Sequence, residues 1–190
     1  ATFGRYLDDE VLGNGVEVIA RHFLRMAMGD KATLLDLAPD HGHLAVALAD
    51  AVGMWRVVIA GGAAHHALRR SLAPLPNTLR PAVHATTEDA VLAAIESGAP
   101  SVVMHATRGS VDDGSFVSAV RSLRAQRMPH RVVFSGITGI CTTVDVDVQR
   151  IAAECQAIGI PLHGLTLQRD GKFGVAPLAE VPRPHLLVSC

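Results

Sequence analysis

Aromatic residues make up only 4% of this 190-residue chain. That is too few for the stacking platforms on which proteins read unpaired bases, so nucleic acid is not an expected partner. Charge of one sign is not in excess either. Lys and Arg number 17 against 18 Asp and Glu, a net charge of −1, which argues against a broad electrostatic footprint for nucleic acid or an anionic membrane. Long apolar runs are missing: no segment reaches the roughly 18 residues of a membrane span, and the N-terminus lacks a basic-then-apolar secretory pattern. A soluble, cytoplasmic protein is expected. Its start at Ala1 fits either removal of an initiator Met or a piece of something longer. Cysteine is scarce, and Cys141, Cys155 and Cys190 are odd in number and widely spaced, which suits reduced thiols better than a disulfide framework.

Several chemistries lack their motifs. Phe134-Ser135-Gly136 has no Gly-x-Ser-x-Gly frame for a hydrolase nucleophile, and no Gly-x4-Gly-Lys-Ser/Thr phosphate loop occurs. Ten histidines raise the question of a metal, with His41, His43, His65, His66 and His105 all falling near predicted strand ends. No His-Glu-x-x-His or similar spacing supports one, so no metal is expected.

What the chain does have is alternation. Residues 10–28 carry apolar positions at near-helical spacing and stop at Gly29, which predicts a leading helix within residues 1–30. Strands are then predicted at 33–38, 55–60, 81–85, 101–106 and 131–135, and helices at 43–52, 63–72, 88–97, 114–126 and 145–158. Short connections and strict alternation imply an α/β fold, a mostly parallel sheet covered by helices on both faces. The pattern then changes: 162–168 and 173–178 read as strands joined by Asp170-Gly171, a hairpin dipeptide, and 185–188 as an edge strand or a tail. At this length one domain spanning 1–190 is expected, burying about two-thirds of the unfolded surface.

The stretch Leu34-Leu35-Asp36-Leu37-Ala38-Pro39-Asp40-His41-Gly42-His43-Leu44 concentrates the functional signal: an apolar strand, a polar turn, then a helical pattern. In α/β proteins that junction binds small anionic or nucleoside ligands. With five β-α units and a closing hairpin, the chain resembles the class I methyltransferases, whose Rossmann-like sheet has a last strand running against the others. The loop Asp36 to Gly42 is similar to that superfamily's Asp-hydrophobic-Gly-x-Gly/Asn/Asp-x-Gly cofactor loop, with Ala38 and Asp40 at the first two glycine positions and Gly42 at the third. FkbM-type O-methyltransferases are similar over most of the chain, including Val52-Gly53 before a strand and Gly164-Leu165-x4-Asp170-Gly171. The tRNA adenine-N1 methyltransferases resemble it only at Asp40-His41-Gly42-x-Leu44.

The resemblance implies S-adenosylmethionine as cofactor, held by Asp36, Ala38, Asp40 and Gly42, with Gly61 at the end of the second strand. It further implies an acidic contact to the adenine amino group from Glu88 or Asp89. Thr86 with Asp89 three residues on also has the form of a capping box, which would explain the same residues structurally. Members of the superfamily present a carboxylate to the ribose after strand two; here Gly61-Gly62-Ala63-Ala64-His65-His66 offers none. His105, at the end of strand four, is the candidate base for an acceptor hydroxyl. Two functions are thereby expected as alternatives. One is O-methyl transfer to a small hydroxylated acceptor. The other is a domain that has lost its cofactor, a pseudoenzyme whose partner is a protein within a larger assembly.

Overall fold

Uninterrupted apolar runs such as Val57-Val58-Ile59 and Val102-Val103-Met104 suit strands buried on both faces, and β-branched side chains favour the extended backbone. A computed structural model, which describes residues 32–39, 56–78, 80–134, 144–167, 173–180 and 186–189, places them accordingly. The strands are β1 (Thr33–Asp36), β2 (Val57–Ala60), β3 (Ala82–His84), β4 (Val102–Ala106), β5 (His130–Phe134), β6 (Leu162–Leu167), β7 (Phe173–Pro177) and β8 (Leu186–Ser189). The helices are α1 (His65–Leu72), α2 (Thr87–Glu96), α3 (Arg108–Asp112), α4 (Ser115–Ala125) and α5 (Val144–Ala157). The leading helix, the helix at 43–52 and the Asp170-Gly171 turn lie outside the described residues.

The eight strands form one sheet in the order β3-β2-β1-β4-β5-β8-β6-β7. β1 to β5 are mutually parallel. β6 and β7 pair as the expected antiparallel hairpin. The tail corrects the sequence reading: Leu186–Ser189 is neither an edge nor a free end, but an antiparallel strand inserted between β5 and β6. The reason lies in Leu186-Leu187-Val188, an apolar run able to bury both faces, and Val188 is indeed buried. The helical turn α3 between β4 and α4 was not foreseen either; it is only five residues long, too short for a periodic signal.

On one face Leu35, Val58, Met104, Val132 and Phe134 meet Ala90 and Ala94 of α2, Phe116, Val120 and Leu123 of α4, and Ile151 and Cys155 of α5. Cys155 is a buried free thiol, and burial, reinforced by Glu154, pushes it up to about 12. It packs as a small apolar residue, as expected; Cys141 and Cys190 are outside the described residues. On the other face, register aligns Ile59, Asp36, His105, Val133 and Val188 in one row across five strands. Residues paired across strands share a face. Two polar side chains therefore sit side by side in an otherwise apolar row.

Two helices end in the same motif on different residues. At α5, Gly159 (φ 75°) donates to the Gln156 carbonyl and Ile160 to that of Cys155. At α4, Arg127 (φ 53°) donates to Arg124 and Met128 to Leu123. Both are Schellman caps, whose left-handed residue favours glycine. Gly159→Ala leaves its new Cβ in ordinary contact, 3.7 Å from Arg124 Nη2, so only the backbone conformation is penalised. A loss of about 1 kcal/mol in urea unfolding is expected; no loss would mean the cap rearranges.

Candidate functional site

The strand order reverses between β1 and β4, and ligands of open α/β sheets bind outside the carboxyl ends of the strands at such a point. Asp36, the last residue of β1, is there and has no exposed surface. Its Oδ1 accepts two hydrogen bonds, from the Ala38 backbone N–H at 3.0 Å and from His105 Nδ1 at 2.9 Å. The first is an Asx turn, which bends the chain out of the strand. The second follows from register, since Asp36 and His105 are paired neighbours on β1 and β4. Asp36 Oδ2 is buried without a hydrogen-bond partner among the described residues.

β4 and α3 hold the turn from below. The His105 carbonyl accepts from Leu37 N–H at 2.9 Å. Ser110, 2% exposed, accepts from Thr107 N–H at 3.2 Å, and its hydroxyl reaches the Leu37 carbonyl at 3.5 Å. Ser110 was missed in the sequence, where nothing marks a lone serine inside a five-residue helix. The meeting of Asp36 with His105 did leave a trace. Each is the first polar residue to end an apolar run, in Leu34-Leu35-Asp36 and Val103-Met104-His105, and parallel strands of similar length bring such ends level.

The remaining candidates fall elsewhere. Ala38 is half-buried in the turn; Asp40 and Gly42 are outside the described residues. Gly61 N–H donates to the His84 carbonyl at 2.8 Å. A Cβ on Gly61 would lie 2.8 Å from His65 Cα and 3.0 Å from Val83 Cγ1. Its missing side chain is thus accounted for by packing against α1 and β3. Beyond it Gly62 opens a short 3-10 turn, His65 Nδ1 lies 2.9 Å from the Gly62 carbonyl, and the His65 and His66 rings stack with centroids 3.9 Å apart.

Glu88 and Asp89 are exposed in the first turn of α2. Thr86 caps that helix by accepting from Asp89 N–H at 3.1 Å, as the structural alternative predicts, and Glu88 accepts from Ser118 of α4 at 3.3 Å. Neither carboxylate is bonded to Asp36, whose Oδ1 accepts from Ala38 and His105. His105 is itself 3% exposed, with Nδ1 turned to Asp36. That geometry points one ring nitrogen of His105 at a protein carboxylate. Among the described residues no three His, Cys, Asp or Glu side chains converge to hold a metal, and no helix is long and apolar enough to cross a membrane.

No protein-family model and no curated protein matches the chain. Solved structures do. A cofactor-bound protein from MTB is 15% identical, with a TM-score of 0.52 over 97% of this chain and 94% of that one. A Streptococcus agalactiae protein of the NADB-Rossmann superfamily is 10% identical, with a TM-score of 0.56 over 93% of this chain and 68% of that one. A precorrin-6y C5,15-methyltransferase from Geobacter metallireducens is 8% identical, with a TM-score of 0.51 over 90% and 84%. Strand order, the antiparallel last strand and these likenesses together establish a Rossmann-like α/β fold, one that a solved methyltransferase also has.

Proposed function

We propose that this chain is an S-adenosylmethionine-dependent methyltransferase that transfers a methyl group to the oxygen of a small hydroxylated acceptor. The observation that carries the reading is the Asp36 carboxylate: buried at the switch point, with Oδ1 doubly engaged and Oδ2 lacking a partner among the described residues. A buried acceptor without a donor is costly, so a ligand donor there is favoured. The cofactor's ammonium group fits that requirement. When bound, S-adenosylmethionine would supply a sulfonium methyl to the acceptor oxygen and leave as S-adenosylhomocysteine, the hydroxyl proton passing to a base for which His105 is the candidate. The protein's own contribution is placement, with Asp36 and the Ala38 turn fixing one end of the ligand and excluding water beside it. Asp40, Gly42 and the backbone at Gly61 would complete the cradle, and Glu88 or Asp89 the contact to the adenine amino group.

The second reading, a pseudoenzyme serving as a protein-interaction domain, draws on one specific observation. From Arg56 to Thr87 there is no acidic residue, and the end of β2 is packed against α1, so the described residues following β2 offer no carboxylate for ribose hydroxyls.

Calorimetric titration with S-adenosylhomocysteine separates the two. Binding on the order of micromolar is expected, weakened at least about tenfold in Asp36→Asn at unchanged thermal stability. No heat at millimolar ligand would remove the enzyme reading and leave the pseudoenzyme.

A further inference from the structure

The turn after β1 has Ala38 and Pro39 where a glycine-rich loop would shape itself around a ligand, so something else must fix it. Three links from β4 and α3 converge on Asp36 and Leu37. His105 Nδ1 reaches Asp36 Oδ1 at 2.9 Å, the His105 carbonyl accepts from Leu37 N–H at 2.9 Å, and the Ser110 hydroxyl approaches the Leu37 carbonyl at 3.5 Å. From these contacts we infer that His105 is a positioning residue. It holds the Asp36 carboxylate in the orientation that leaves Oδ2 for a ligand donor. This deepens the reading above and rests on it.

The chemistry is specific. A carboxylate oxygen only accepts, so the proton between the two groups sits on Nδ1, and the ring must present that nitrogen to Asp36. With Ala38 N–H as the second donor, Oδ1 is committed. Rotation of the carboxylate would break both bonds at once inside a site from which water is excluded. Without His105, Asp36 keeps only the Ala38 bond and becomes free to turn Oδ2 toward the vacated space. The same side chain explains why a charged residue is tolerated in the row of Ile59, Val133 and Val188: a buried carboxylate needs strong donors.

Side-chain amides separate position from bulk, since an Asn Nδ2 reaches the place of a histidine Nδ1 whereas a Gln amide extends toward Nε2. For S-adenosylhomocysteine, His105→Ala and His105→Gln are each expected to weaken binding about tenfold to a hundredfold. His105→Asn should stay within about threefold of the parent protein. Equal losses in Asn and Gln variants of equal melting temperature would overturn the positioning role. Failure of the parent protein to bind would instead count against the methyltransferase reading. A second measurement is independent of any ligand: in long-range 15N–1H correlation spectra His105 should carry its proton on Nδ1. A ring protonated on Nε2 alone would overturn the inference whatever the titrations give.

Discussion

Phe116→Ala is expected to lower the free energy of unfolding by about 3–5 kcal/mol, read from urea denaturation with an unchanged slope. Phe116 of α4 is completely buried and meets Phe134 at the end of β5 edge to face, ring centroids 5.1 Å apart at 65°. Truncation removes the transfer free energy of the ring, the edge-to-face term and the packing of every neighbour left facing a void. Relaxation into that void is restricted, because the surrounding Met104, Val120 and Leu123 are held by strand pairing or by a helix packed on α2. In a domain of ordinary marginal stability a loss of this size takes up much of the total. Phe116→Leu, which refills part of the space, should recover more than half of it. A loss below about 1 kcal/mol would mean that α4 is only loosely docked on the sheet.

Gly61→Ala is the second large effect, expected at about 1–3 kcal/mol, occasionally more. The added carbon would stand 2.8 Å from His65 Cα, a backbone atom that no side-chain rotation can move away. The first residues of α1 must shift outward, or β2 must give up the bond from Gly61 N–H to His84. Gly62→Ala is the control. Gly62 has φ 55° but nothing within 4 Å of its missing Cβ, so only backbone strain applies, about 1–2 kcal/mol. The two substitutions should separate in kind: Gly61→Ala perturbs the α1–β3 contact in hydrogen exchange, whereas Gly62→Ala lowers stability without moving it. Gly61→Asp would therefore not restore the carboxylate missing after β2; it would open the helix packing first. At Gly61 itself the absence of an acid has a steric cause.

The alternating half of the chain was legible because periodicity and length are local signals. Val57–Ala60, Thr87–Glu96 and Ser115–Ala125 fall within two residues of their predicted bounds. The tail was not, because whether an apolar tetrapeptide such as Leu186–Ser189 lies at an edge or in the interior depends on where β6 and β7 leave a gap, a non-local fact. At the site, Asp36 and His105 were each visible as polar residues ending apolar runs. Their contact required the register of two strands 69 positions apart. Gly61 was read as serving a ligand since a glycine after a strand has that meaning in many folds; only the approach of His65 reveals the other reason.

Because β8 lies between β5 and β6, the β6–β7 hairpin is, among the described residues, paired with the rest of the sheet only through residues 186–189. During synthesis the hairpin emerges from the ribosome before the strand that joins it to β5. It must wait as an isolated pair, which is marginally stable in water. The first five strands can assemble while the chain is still being made, but closure of the sheet is a late, long-range event. In the interval the unpaired edges of β5 and β6 face solvent, and with them the opportunity for one nascent chain to complete its sheet with the last strand of another.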